Sequence, residues 1–249
     1  MSSSETFIAY PMGSQPPALP RDEAHVWLLD WEAQDAGMLQ LLTRDERARA
    51  DRFHFPNDRL RYGITRASLR RLLSGYLSVA LGDLHFEYSA EGKPSLPSSL
   101  TTSADPVQFN VSHSGRFALL AFVRGNPLGV DVEAIREEVL AENLAERFFS
   151  LDEQAVLRAL PRPQQLKAFF HCWTRKEAYL KALGEGLVRG LDTFSVVFNP
   201  TQPAGLRSDA LDPSAPGVWR IVDLPVPEGY AGALTVSRAV NRIQMWLYS

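Results

Sequence analysis

Apolar and polar positions along the chain follow two periods, and the places where one gives way to the other mark the elements. Residues 1–22, rich in Pro and Ser, show neither period and are expected to lie loosely over the surface. Ala24–Asp30 (AHVWLLD) reads as the first strand. Thr43 and Glu46 stand at capping-box spacing, which predicts a helix start, and Pro56 breaks that helix. Asp58 is placed to cap a second, longer helix through Ala80, with Gly82 as its stop. That helix carries Leu69, Leu72, Leu73 and Leu77 on one side and arginines on the other. His85–Ser89 alternates as a strand, Gly92-Lys93-Pro94 reads as a turn, and Ser98–Pro106 reads as an exposed loop.

Phe109-Asn110-Val111-Ser112-His113-Ser114-Gly115 leads into a buried strand, Phe117–Val123, which turns at Arg124–Pro127 and returns as Leu128–Ile135. Glu142–Ala159 is a helix interrupted near Ser150, where Ser150 and Glu153 repeat the capping-box spacing. The longest helical stretch runs from Pro163 to Gly186, with Phe169, Phe170, Trp173, Leu180 and Gly184 along one side. Gly184-Glu185-Gly186 supplies its stop and a flexible exit. Strands are predicted at Leu191–Phe198, Val218–Asp223, Tyr230–Ser237 and Ile243–Tyr248. Asp51–Phe55 and Glu146–Ser150 open similar series, compatible with two α+β halves, 1–125 and 126–249.

A composition of 45% hydrophobic and 22% charged residues is that of a globular chain long enough for one large domain or two ordinary ones. A net charge of −3 argues against a surface that coats nucleic acid. The single cysteine, Cys172, rules out an intramolecular disulfide and a thiolate metal cage. It reads as a plain packing residue off the buried centre of its helix. The amino terminus lacks a secretory pattern and the longest apolar runs are strand-sized, which suggests a soluble, cytoplasmic protein.

Three carboxylates stand out against this background. Glu177 falls where the next apolar residue of the long helix is due, and burying a carboxylate is costly unless it is paired or bound to a metal. A structural ion pair with Lys181, at i, i+4, is the simpler explanation for that residue alone. Asp131 and Glu133 share one face of their strand, roughly 7 Å apart, and repel each other unless exposed or sharing a cation. Together the three are hard oxygen donors suited to Mg²⁺, which takes a few carboxylates and is completed by substrate phosphates. Between Arg44 and Arg71, nine arginines face four acidic residues, a seat for a multiply charged small anion. His113 and its flanking serines fit an ordinary turn as well as a phosphate site.

Gly92-Lys93-Pro94, Phe109-Asn110-Val111-Ser112-His113-Ser114, Gly129-Val130-Asp131-Val132-Glu133 and Trp173-Thr174-Arg175-Lys176-Glu177-Ala178-Tyr179-Leu180-Lys181, in that order, strongly resemble the 4′-phosphopantetheinyl transferases. The length resembles the larger, pseudo-dimeric type that primes nonribosomal peptide and polyketide synthases. The resemblance implies an α+β fold of two similar halves related by a pseudo-twofold, with coenzyme A bound in the cleft between them. It implies transfer of the phosphopantetheine arm to a serine of an apo acyl or peptidyl carrier protein, releasing adenosine 3′,5′-bisphosphate. Asp131, Glu133 and Glu177 would hold Mg²⁺, with Mn²⁺ as the alternative ion. Lys181 and His113 would contact coenzyme A phosphates, Lys93 and Pro94 would line its adenine end, and Ser112 with Arg49 would hold the 3′-phosphate. Glu177, Lys181 and His113 would carry the chemistry, with Glu177 a metal ligand first and a base second. Where some relatives have a basic residue, this chain has Glu46. No nucleic-acid or membrane partner is implied, and a two-half chain is expected to act as a monomer. A coenzyme A or carrier binder without transfer, or an anion- or RNA-binding protein, are the competing readings.

Overall fold

A computed structural model describes residues 6–11, 14–89, 92–184, 189–197, 199 and 202–248. The first half contains Ile8–Tyr10 (β1), Glu23–Asp30 (β2), Arg44–Ala50 (α1), Pro56–Leu77 (α2), Glu87–Tyr88 (β3), Pro94–Ser95 (β4), Val107–Ser114 (β5) and Phe117–Arg124 (β6). The second contains Leu128–Ala134 (β7), Ala141–Phe148 (α3), Leu151–Ala159 (α4), Arg162–Leu183 (α5), Phe194–Val197 (β8) and Gly205–Asp209 (β9). It continues through Ala215–Val218 (α6), Trp219–Asp223 (β10) and Tyr230–Ser237 (β11) to the last strand, Arg242–Tyr248 (β12).

One strand–helix–strand–strand unit occurs twice. In the first, β2 pairs with β6 and β6 with β5; in the second, β7 pairs with β11 and β11 with β10, all antiparallel. The intervening helix is α2 in one unit and α5 in the other, each 22 residues long with Pro in its first turn and a left-handed residue at its end. The strand β12 then enters the first sheet between β1 and β2, parallel to both. Two layers of apolar side chains result from the alternation of β2. Trp27 and Leu29 pack with Leu69, Leu72 and Leu73 of α2, while Val26 and Leu28 face Val130, Val132, Leu234 and Val236 of the other sheet. The two sheets are therefore joined by a shared core, with β5 at the edge of one and β7 at the edge of the other.

Several boundaries differ from the sequence reading. Pro56, favoured in a first turn, starts α2 ahead of Asp58, whose carboxylate instead accepts from Arg61 at 2.8 Å. The helix ends at Leu77 because Ser78 adopts φ 55°, short of the predicted Ala80 and Gly82. The first segment is not wholly loose, since Ile8–Tyr10 pairs with β12. Strand β9 went unread in a polar stretch, and β3 keeps only two of the five residues expected. Cys172 is fully buried rather than off-centre. The expected exit at Glu185 and Gly186 lies outside the described residues.

Helix α5 is buried on more sides than a single apolar stripe implies. Lys176 is 0% exposed, its ammonium donating to both oxygens of Glu153 (2.8 and 2.6 Å) and to the Phe194 carbonyl at 2.6 Å. Glu153 also accepts from the Val196 and Ser150 amides, which ties α4, α5 and β8 into one unit. A buried charge is tolerated only when its hydrogen bonds are made, and here they are.

Candidate active site

The site forms where the two sheet edges meet. Along β5 every second side chain reaches the backbone of β7: the Val130, Val132 and Ala134 amides donate to Asn110 Oδ1 (3.0 Å), Ser112 Oγ (3.4 Å) and Ser114 Oγ (3.0 Å). This two-residue spacing is the strand period, so the alternation of FNVSHS fixes the register of β7. Val130 and Val132 point into the core and are fully buried, which sends Asp131 and Glu133 to the opposite face. There the Ser112 hydroxyl donates to Asp131 Oδ1 and the Ser114 hydroxyl to Glu133 Oε2, both at 2.7 Å.

Helix α5 closes this face because Gly129 lets it approach. A Cβ there would meet the Ala178 carbonyl, and would lie 2.5 Å from the Ala182 amide nitrogen. The close packing brings Lys181 across to Asp131 Oδ1 (2.6 Å), with further donation to Ser112 Oγ (3.0 Å) and the Val130 carbonyl (3.2 Å). The i, i+4 pair of Glu177 with Lys181 is therefore not the one made. Among the described residues, no hydrogen bond or ion pair forms to Glu177. Loss of hydration, then repulsion from Asp131, pushes its carboxyl above the usual carboxylate range; Lys181 opposes this and Glu133 adds to it. Glu133 is also raised, by burial first, with the Ser114 hydrogen bond opposing and Asp131 reinforcing.

The donor set fits a hard divalent cation in chemistry. Asp131 is 3% exposed and its Oδ2 is buried without a hydrogen-bond partner, while Glu133 and Glu177 repel it and each other. A cation facing all three would satisfy the orphaned oxygen and remove the repulsion. As they stand, no three His, Cys, Asp or Glu side chains among the described residues form a ready-made metal cluster.

A cationic surface adjoins the carboxylates. Lys93 Nζ donates to the Lys181 carbonyl at 3.2 Å, and burial followed by the Lys181 charge lowers its pKa. Pro94 sits in β4 opposite Tyr88. Arg49 lies over the Tyr88 and Tyr62 rings at 5.0 and 5.9 Å, and its Nη2 would be 3.4 Å from a Cβ at Gly92. His113 is exposed at the end of β5, where desolvation by its surroundings, then the charge of Arg61, lowers its pKa. Ser112, expected at a phosphate, is engaged with Asp131 and Lys181 instead.

Two residues escaped the sequence reading. Arg66 is buried beside the Phe86, Tyr88 and Tyr62 rings, with Nη1 unpartnered, and the neighbouring Tyr62 hydroxyl is likewise buried and unpartnered. Among the described residues, Glu46 is the only carboxylate paired with Arg66 and Arg70, at 3.9 and 3.4 Å, and it also caps α1 through the Thr43 amide. One carboxylate thus serves two guanidiniums and leaves positive charge over. Nothing but three-dimensional placement separates Arg66 from the other eight arginines of that stretch. A separate recess of about 430 Å³ on another side of α5, lined by Lys167, His171, Arg175 and Asp223, includes none of the three carboxylates.

Residues 127–235 match the family model described as the 4′-phosphopantetheinyl transferase superfamily, and residues 30–124 match the model of the 4′-phosphopantetheinyl transferase N-terminal region. The chain is 37% identical over 230 residues to the 4′-phosphopantetheinyl transferase HetI of Nostoc sp., covering 91% of this chain and 93% of that one. It is 30% identical over 165 residues to the transferase Sfp of Bacillus subtilis, covering 66% and 70%. Among solved structures, the Thermotoga maritima holo-[acyl-carrier-protein] synthase aligns over 45% of this chain and 62% of its own, at 23% identity and a TM-score of 0.34. With similarity to HetI running through both halves and across the strand that bears Asp131 and Glu133, the chain belongs to the 4′-phosphopantetheinyl transferase superfamily.

Proposed function

We propose that this protein transfers the phosphopantetheine arm of coenzyme A to a serine of an apo acyl or peptidyl carrier protein, in a Mg²⁺-dependent reaction that releases adenosine 3′,5′-bisphosphate. The observation that carries the reading is the gathering of Asp131, Glu133, Glu177 and Lys181 from β7 and α5 on one face, beside a cationic and aromatic surface. Asp131, Glu133 and Glu177 would hold the Mg²⁺. When bound, the ion neutralises charge on the pyrophosphate being broken, with Mn²⁺ as the alternative.

Lys181 holds its ammonium on the Asp131 carboxylate and shares it with a phosphate oxygen once substrate arrives. His113, at the open end of β5, donates to a second phosphate. Arg49, Arg66 and Lys93 take the nucleotide end, with Pro94 and Tyr88 as walls. The leftover positive charge around Glu46 supports Arg66 as an anion ligand in place of a basic residue at position 46. Glu177, whose carboxyl binds its proton more tightly than an ordinary glutamate, orients the carrier serine hydroxyl and can accept its proton. Its first role is ligand and its second is base, because a carboxylate committed to a cation is a poor proton acceptor. The two-half chain supplies its whole cleft and acts as a monomer, with residues 1–125 and 126–249 as the halves.

Intact-mass measurement of an apo carrier incubated with the protein, coenzyme A and Mg²⁺ tests this. A gain of one phosphopantetheine group is expected. An unchanged carrier mass with several different apo carriers would refute the assignment, since anion or carrier binding alone makes no covalent product.

A further inference from the structure

Edge strands normally meet through backbone ladders, yet β5 and β7 meet through the side chains of Asn110, Ser112 and Ser114. Asn110 only receives the Val130 amide. The two serines do more, because a hydroxyl both accepts and donates. Ser112 is shared between Asp131 and Lys181, whereas Ser114 takes the Ala134 amide and gives its single proton to Glu133 Oε2. That is the one hydrogen bond made to Glu133 among the described residues. Glu133 lies near the end of β7, where a half-buried side chain has rotamers to choose from. The turn that follows Ser114 is itself held: Gly115 takes φ 54°, and the Arg116 amide donates to the Tyr230 hydroxyl at 3.1 Å. Ser114 is therefore a fixed point from which the carboxylate is aimed.

We propose that Ser114 is a positioning residue: its hydroxyl sets the orientation of the Glu133 carboxylate toward the cation-binding face. The proposal rests on the reading of Glu133 as a metal ligand. Outer-shell hydrogen bonds of this kind are typically worth about ten- to a hundredfold in metal affinity.

Mn²⁺ binding to the purified protein with coenzyme A present, followed by the electron paramagnetic resonance signal of the free ion, reads this without turnover. Ser114→Ala is expected to weaken Mn²⁺ binding about ten- to a hundredfold, and Ser114→Thr, which keeps the hydroxyl, to restore it. Asn110→Ala breaks the same seam without touching a carboxylate, and it should lower the melting temperature while leaving Mn²⁺ affinity near wild type. In turnover, Ser114→Ala should reduce kcat and leave KM for the carrier unchanged. Should the alanine variant not fold, Ser114→Cys, nearly isosteric but a weaker donor, carries the same expectation of reduced Mn²⁺ affinity. Wild-type affinity in a folded Ser114→Ala or Ser114→Cys protein, or equal losses in Ser114→Ala and Asn110→Ala, would overturn the proposal. A wild-type protein that binds no Mn²⁺ removes the metal reading and the proposal with it, whereas a carrier that gains no mass removes the transfer reading alone.

Discussion

Asp131 has two oxygens in unlike surroundings: Oδ1 is held by Ser112 and Lys181, and Oδ2 is buried with no partner. Asp131→Asn and Glu177→Gln keep shape and remove charge, so each should leave the fold intact and lower kcat/KM by more than about a hundredfold, the upper end for outer-shell losses. Steady-state transfer assays check this, and near-wild-type rates would contradict the ligand roles. Because the Glu133 and Glu177 pKa values are raised, the folded state holds protons that the unfolded chain has already released. Their contribution to stability is present at acidic pH and is lost as pH rises through the raised values. A Mg²⁺ ion held by both carboxylates would remove that penalty, so the melting-temperature gain on adding Mg²⁺ should increase from mildly acidic to mildly alkaline pH. A gain independent of pH would count against these two carboxylates. For Arg66→Ala, a loss of about 1.5–3 kcal/mol in coenzyme A binding is expected, the range for hydrogen bonds to charged groups. Calorimetric titration that found unchanged affinity would exclude Arg66 from the nucleotide end.

At the scale of elements, the site depends on how closely α5 lies on β7 and on what pins α5. Lys176 and Glu153 form a fully hydrogen-bonded buried pair, and removing one member leaves the other charge uncompensated. Lys176→Ala should cost about 3–5 kcal/mol in urea unfolding; a loss near zero would show that the pair does not anchor the helix. Much of this level was legible beforehand. The periods of β2, β6 and β7 and both capping boxes were read from residues alone, since local spacing determines them. The alternation of Asp131 and Glu133 against Val130 and Val132 likewise followed from the strand period. Hidden from such reading were the partners of Lys176 and Lys181, which lie 23 and 50 residues away, and the stranding of Arg66 among aromatic rings. Glu177 stands out in the sequence as a carboxylate in need of a partner, and the helical neighbour that its own helix offers, Lys181, is drawn instead to Asp131 on β7.

On the scale of the whole molecule, two copies of one unit are joined by a common core and by β12, which leaves the second half to pair in the first sheet. Burial there also shapes the acid response. His25, paired with the Tyr76 hydroxyl at 2.8 Å, has its pKa lowered by burial from 6.5 to about 3. The unfolded chain takes up a proton that the fold refuses, so stability should fall as pH drops from 6.5 toward 3, and His25→Gln should flatten that part of the curve. We propose that β7 and α5 of the second half, steadied by Ser112 and Ser114 of the first, present Asp131, Glu133 and Glu177 to one divalent ion for phosphopantetheine transfer. Following the intact mass of an apo carrier against Mg²⁺ concentration, with chelator as the zero point, tests it most directly. The account predicts saturable conversion by the wild-type protein, none with chelator, and a markedly shifted Mg²⁺ requirement for Glu133→Gln. Full conversion in excess chelator, or identical Mg²⁺ curves for the two proteins, would contradict it.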